Sequence, residues 1–363
     1  MTKVSSRNGG AGWRTSSVTS DKGIPIKNIY YMLAYAFHSL REGAYESLAA
    51  EEFEGAQDLF AAILARGLAR QLKRGLYREY VPRSEDLPLL RGRLDVPGTI
   101  RRRVARRQLL ACEYAELSED NPLNRVLKTA AVCLLREPSV KKDRKAELKK
   151  ALMPLSAVGT VAPSQIRWDA LRCRRDARDY PMLLAICRLV FDDLLPTTEN
   201  GPHRMMGLSE ENIARLYEKF VLEYYLAHHP ELGAKAATVK WDLDEGCQPD
   251  RFLPEMRTDI TLRRGDRTLI IDTKYYGQIF QSHHDARTLR STHLYQIFAY
   301  VKNQDAGHTG KVSGLLLYAR TGEPDAPDRE YSMGGNRIAV KTLDLNRDFR
   351  AIAAQLDAIA EIM

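Results

Sequence analysis

The stretch Thr258-Asp-Ile-Thr-Leu-Arg-Arg-Gly-Asp-Arg-Thr-Leu-Ile-Ile-Asp-Thr-Lys-Tyr-Tyr276 decides how the chain is read. Gly265-Asp266 lies between two strand-forming runs, and Gly at the first central position suits a tight two-residue turn. Centring the turn there sets a register in which Ile260 faces Ile271, Leu262 faces Leu269 and Asp259 faces Asp272. Side chains alternate between the faces of a strand, so Ile260, Leu262, Leu269 and Ile271 form an apolar face while Asp259, Asp272 and Lys274 share the other. Thr268 to Ile271 is strongly β-forming and Tyr275-Tyr276 continues the run, so these charges are embedded in a hydrophobic strand rather than carried on a loop.

Cross-strand partners have Cβ atoms about 5 Å apart. Two carboxylates that close oppose each other's ionisation unless a cation lies between them, and hard oxygen ligands suit Mg²⁺ or Mn²⁺. Lys274, about 6.6 Å further along the same face, can orient an attacking water or stabilise charge on a phosphate. Phosphate esters need their hydrolysis barrier lowered by on the order of 20 kcal/mol, and metal activation with charge clamping are suitable means. The plain alternative is a solvated strand face, where Asp-x-Lys with an Asp opposite is common; the apolar embedding favours a site. Leu216 to Leu226 reads as a helix with Leu216, Phe220, Val221 and Tyr224 on its apolar stripe and Glu218 off it. Glu218 is then either a further metal ligand or an exposed helical Glu. In a second helical run, Leu294 to Val301, Gln296 and Tyr300 are four apart and share a face. They steady the site, touch DNA, or pack.

These residues carry a family resemblance. A Glu-bearing helix, an Asp strand, Asp-x-Lys on the next strand and a Gln-x-x-x-Tyr helix resemble the PD-(D/E)xK nuclease superfamily, which implies a small mixed sheet flanked by helices. Ile24-Pro-Ile-Lys-Asn-Ile-Tyr-Tyr-Met-Leu-Ala-Tyr-Ala36, Gly92-Arg-Leu-Asp95, Leu117-Ser-Glu-Asp-Asn-Pro-Leu-Asn-Arg-Val-Leu-Lys128 and Ile271-Asp-Thr-Lys-Tyr-Tyr276 together resemble the McrC family, the nuclease subunits of McrBC methylation-dependent restriction systems. The likeness covers nearly everything after the first twenty-odd residues. One departure is that Thr258 precedes Asp259 where the superfamily often has Pro-Asp; Pro249-Asp250 lies too early and reads as loop. The resemblance implies a DNA endonuclease subunit in which Asp259, Asp272 and Glu218 hold Mg²⁺ and Lys274 orients water or stabilises the transition state. It also implies a partner, an AAA+ GTPase hexamer that uses GTP and recognises double-stranded DNA bearing modified cytosine. Two nuclease subunits would pair across the complex to break both strands.

Composition agrees. The 363 residues suffice for two domains, each able to bury a core, and 44% hydrophobic with 28% charged residues is ordinary globular usage. Between Arg66 and Arg107 there are 13 Lys or Arg against 4 Asp or Glu, an excess that matches the net +8 of the whole chain. Such a segment attracts a phosphate backbone or an acidic partner surface, although Arg66, Arg70, Lys73 and Arg74 also suit a solvated helical face. Arg101, Arg102, Arg103, Arg106 and Arg107 fall between two strand-like segments, as the tip of a long hairpin near 92–114. By resemblance that hairpin docks on the GTPase ring and stimulates it; contact with DNA is the competing reading.

The chain has no nucleotide site of its own, because Gly307-His-Thr-Gly-Lys311 lacks the first glycine of a phosphate loop and is followed by Val312. Cys112, Cys133, Cys173, Cys187 and Cys247 are odd in number and scattered, and read as reduced packing residues. His228-His229 and His283-His284 lack the partners of a zinc site. No apolar run is long enough to span a membrane. The fold expected is mixed α/β, in three parts. Residues 1–22 form a disordered leader, residues 23–198 a helix-rich domain with the projecting hairpin, and residues 199–363 the nuclease core, with the boundary near Leu195 to Pro202. A cytoplasmic location follows. Two other functions fit the same residues: an interaction subunit that activates a GTPase with weak or no nuclease activity, and a stand-alone DNA repair nuclease.

Overall fold

The computed structural model describes residues 20–21, 23–174, 177–196, 203–205, 208–275, 280–283, 286–320 and 327–363. The leader expected at 1–22 lies almost wholly outside the described residues, as do 197–202 of the expected boundary, Tyr276 and His284.

Helices α1 (Ile26–Ala36) and α2 (Ala56–Arg74) open the chain. A small antiparallel sheet follows, made of β1 (Glu79–Leu87), β2 (Arg93–Leu94) and β3 (Leu110–Ser118) with β3 in the middle, and α3 (Val96–Val104) rides on it. Of the long hairpin expected near 92–114 only the base forms. β3 takes β1 as its long partner, from Glu79 opposite Ser118 to Leu87 opposite Leu110, and only Arg93 and Leu94 pair on its other side. Residues 96–104 are helical because Asp95 caps the first turn, accepting from Gly98 N at 3.1 Å, and a proline sits in that turn where no N–H is needed. Arg101, Arg102 and Arg103 therefore lie on α3, and Arg106 and Arg107 on the turn that ends it.

Helices α4 (Pro122–Arg136), α5 (Lys142–Leu152) and α6 (Tyr180–Asp192) pack with α2 into a bundle. The Leu117 to Lys128 segment roots the small sheet in it. Asn121 caps α4, and the side-chain amides of Asn121 and Asn124 both donate to Tyr77 O at 2.9 Å, just before β1. Arg125 grips Asp120 with two bonds of 2.6 and 2.7 Å.

The second half begins with α7 (Glu210–His228), followed by β4 (Ile260–Arg264), β5 (Arg267–Lys274), α8 (Ser291–Gln304), β6 (Val312–Arg320), β7 (Arg329–Met333), β8 (Asn336–Asp344) and α9 (Phe349–Glu361). Their strands form one mixed sheet in the order β4-β5-β6-β8-β7, with β5, β6 and β8 parallel and the two edge strands antiparallel. The Gly265-Asp266 turn and its register are as read: Ile260 pairs with Ile271 and Leu262 with Leu269, and Gly265 takes φ of 60° as the first central residue of a tight hairpin turn. Strand β6 is buried on both sides, as its almost unbroken apolar run requires. On one face Ile260, Ile271, Leu315 and Leu317 pack on α7, α9 and α1; on the other Ile270, Leu316 and Tyr318 pack under α8. Gly314 lets α8 approach, since a Cβ there would lie 2.8 Å from Ile297 and from Val301. Among the described residues the larger apolar cluster runs from α1 and α2 through to α9. No helix among them is long and apolar enough to cross a membrane.

Candidate active site

Strand β5 is central for most of its length and loses a neighbour near its end. Its ladder with β4 stops at Ile260 opposite Ile271, so beyond that point one edge of β5 has no strand to bond. Asp259, one residue before β4, takes over: its Oδ2 accepts from Thr273 N at 2.7 Å and from Thr273 Oγ1 at 2.8 Å. The expected placement of Asp259 squarely across from Asp272 is thus modified. The register holds up to Ile260, and the carboxylate then turns over the strand edge toward Thr273 instead of joining the ladder.

Asp272 is fully buried. Lys274 Nζ lies 2.7 Å from Asp272 Oδ2 and donates to Gln296 Oε1 at 3.1 Å. Gln296 in turn donates through Nε2 to Tyr300 Oη at 2.9 Å. The helical spacing of Gln296 and Tyr300 therefore sets Gln296 against the lysine with Tyr300 behind it. Asp272 Oδ1 has no hydrogen-bond partner among the described residues. Burial pushes the Asp272 carboxyl up to about 6 against the pull of Lys274, and Asp259 adds to the rise. Glu218 stands on α7 with its carboxyl raised by partial desolvation and then by Asp259; Arg257 and Lys274 pull it the other way. The charge of Glu218 is thus felt by Asp272, and those of Asp259 and Lys274 by both.

Oxygen donors that are buried and unpartnered fit a hard cation. Among the described residues, however, no three His, Cys, Asp or Glu side chains are gathered into a metal-holding group. Of the three carboxylates expected as ligands, Asp272 offers an unpartnered oxygen and Asp259 is engaged through Oδ2 by Thr273.

Three contributors were not read from the sequence. Thr273, the middle residue of Asp-x-Lys, fixes Asp259. Arg257 tempers Glu218. His293, one turn before Gln296 on α8, is buried and bonds Tyr318 Oη through Nδ1 at 2.8 Å. Burial, then Lys274 and Arg290, lower its pKa to about 4, so it is neutral beside the lysine. Its i, i+3 spacing to Gln296 was the available signal.

The arginines of α3 lie outside this centre. Arg102 is tied to Asp86 at 2.7 Å, whereas Arg101, Arg103, Arg106 and Arg107 are exposed. The cysteines are all free, and Cys247 is exposed, unlike the packing residue it was taken for.

Fold and centre together define an α/β protein built around an Asp-x-Lys site at the end of a mixed sheet. The chain belongs to the family of McrBC 5-methylcytosine restriction system components, whose model matches residues 15–319. It is 26% identical over 336 residues to the type IV methyl-directed restriction enzyme EcoKMcrBC of Escherichia coli (strain K12), a match that covers 92% of this chain and 96% of the relative. Its fold is similar to that of a chain in the refined half-complex from the tetradecameric assembly of Thermococcus gammatolerans McrB AAA+ hexamers with bound McrC. The TM-score there is 0.52 at 18% identity, over 93% of this chain and 76% of that one. The resemblance carried by the four sequence segments holds at the level of family.

Proposed function

We propose that this chain is the DNA-cutting subunit of a GTP-dependent restriction complex directed at modified cytosine: a Mg²⁺-dependent endodeoxyribonuclease of the PD-(D/E)xK type, with Mn²⁺ as a substitute. Asp272 carries the reading. It is a fully buried carboxylate with one oxygen unpartnered and the other beside an ammonium. Burial of such a group is costly unless a cation compensates it, and a site for phosphate hydrolysis brings a cation there. Mg²⁺ keeps several waters and is bound through one or two carboxylates together with substrate phosphates. That habit fits a centre in which Asp272 and Asp259 supply the protein oxygens and Glu218 assists through water. When bound, the ion would polarise the phosphate and make a coordinated water more acidic.

The chain's own residues do the rest. Tyr300 accepts from the Gln296 amide nitrogen, so Gln296 presents its oxygen to Lys274. Lys274 is held between Gln296 and Asp272, and an ammonium has three N–H donors. The third points the lysine's charge at an attacking water or at the phosphate oxygen that gains charge. Neutral His293 adds no competing cation beside it. Thr273 keeps Asp259 from swinging away.

The docking half of the proposal rests on α3. Val96, Ile100 and Val104 follow one another at four-residue spacing and are all more than half exposed, with Val104 at 80%. A continuous exposed apolar stripe marks a protein interface; duplex DNA offers phosphates to the arginines but little for such a stripe. We therefore assign α3 to an AAA+ GTPase hexamer that uses the GTP, and we place the complex in the cytoplasm with two cutting subunits per double-strand break. The structurally similar Thermococcus chain comes from an assembly of McrB AAA+ hexamers with bound McrC.

Lys274→Ala tests the catalytic assignment. Cleavage by the purified complex with GTP and Mg²⁺ is expected to fall by about a hundredfold or more, while partner binding is retained. Unchanged cleavage overturns it.

A further inference from the structure

Where the bundle meets the small sheet, the end of α2, the start of β1, the end of β3 and the segment before α6 enclose two adjoining hollows of about 330 and 440 Å³. Arg74 and Arg78 enter the walls from the first part of the chain; Arg172, Arg174 and Arg178 enter from the segment before α6. All five are exposed. Tyr77 and Tyr80 stand among them, and Tyr80 leaves 69% of its surface open. Glu79 is the only acidic residue on these walls among the described residues. Neighbouring acids answer part of the charge: Glu119 meets Arg78 at 2.7 Å, and Asp179 lies 3.6 Å from Arg74.

Two features point to a phosphate backbone. Every cation lining the groove is arginine, whose planar fork bonds two phosphate oxygens at once and stacks on aromatic rings. The cutting centre, by contrast, presents Asp259, Asp272 and Glu218, which repel phosphate until a cation is bound, so a grip on DNA has to come from elsewhere. We propose that the arginine groove is a second DNA-contact site, separate from the cutting centre, that takes the duplex backbone without regard to sequence. The assignment rests on the reading that this chain acts on DNA.

The test uses the full chain in metal-free buffer, where no cutting occurs, and a short fluorescein-labelled duplex followed by anisotropy over a range of salt. Arg172→Glu with Arg178→Glu is expected to weaken binding by about tenfold or more and to make the slope of log affinity on log salt shallower by about two. Arg172→Ala with Arg178→Ala should shift the slope likewise, and a thermal melt confirms that either variant is folded. Unchanged affinity and slope in the folded variants overturns the proposal. So does loss of GTPase stimulation with DNA affinity intact, because the groove would then serve an acidic protein surface. If Lys274→Ala still cuts while the arginine variants lose DNA, the nuclease assignment falls and the groove stands.

Discussion

Asp272 imposes a cost that the fold does not need. Its carboxyl is pushed up to about 6, mainly by burial. The folded protein therefore holds this proton more tightly than the unfolded chain does, and stability is lost as pH rises from the ordinary carboxylate range through 6. Asn keeps the shape without the charge. In metal-free buffer Asp272→Asn is expected to be more stable than the parent by about 1–3 kcal/mol at pH about 8, with the gain vanishing below pH about 4. The same variant is expected to have lost cleavage, and Mg²⁺ should raise the melting temperature of the parent but not of the variant. Melting curves over pH decide it: a variant less stable than the parent at the alkaline end removes the argument that this residue is held for a cation. Asp272 and Lys274 were legible in the sequence because a strand's period of two puts them on one face, and Gln296 with Tyr300 because a helix brings residues four apart together. Thr273 and His293 were not. Thr273 owes its role to where the β4 ladder stops, which leaves no period in the sequence; His293 shares the helical spacing of Gln296 but owes its role to Tyr318 on β6, which that spacing does not name.

At the scale of elements, the β4–β5 hairpin and α3 show two ways in which local signals resolve. The hairpin's turn, alternation and register all lie within one short stretch, so each supports the others. Around α3 they conflict: Val96, Thr99, Ile100 and Val104 favour strands, while Asp95 and the following proline start a helix. Tertiary packing settles the conflict. Thr99 Oγ1 accepts from Ala111 N at 3.0 Å, and Gly98 is small enough to sit against Ala111, so the helix lies down on β3 with Gly98, Thr99 and Arg102 inward. Val96, Ile100 and Val104 are left outward, which turns the expected arginine tip into an apolar stripe edged by arginines. Ile100→Asp with Val104→Asp is expected to change stability by only about 0.5 kcal/mol, because both side chains are exposed. GTPase stimulation should fall by about tenfold or more, in line with the 2 kcal/mol or more carried by an interface hot spot. A pull-down with the GTPase hexamer, read beside its GTP turnover, checks this; undiminished stimulation removes α3 from the interface.

Across the whole molecule, composition located the basic excess at Arg66 to Arg107, yet the fold adds Arg172, Arg174 and Arg178 to it, a juxtaposition no linear count contains. The core behaves in the same way. α1, at the start of the chain, packs on α7, where Tyr35 meets Phe220 and Tyr224 at ring separations of 5.5 Å. Asn28 donates to Leu345 O and Arg347 O, both at 2.7 Å, tying α1 to the loop after β8. The apolar side chains on α7 that α1 covers contribute about 1.5–3 kcal/mol each. Several together rival the 5–15 kcal/mol of net stability typical of a folded protein. Residues 208–363 expressed without residues 1–196 are therefore expected to lack cooperative melting and near-ultraviolet circular dichroism, and to recover both when the two fragments are produced together. Cleavage at a protease site inserted between residues 197 and 202 should likewise leave the two pieces co-eluting from a sizing column. If residues 208–363 alone melt in one sharp transition, α1 is dispensable to the sheet and the Asp272–Lys274 centre stands on a core of its own. If only the paired fragments melt so, the segment that opens the chain is part of what holds Asp272 and Lys274 in place.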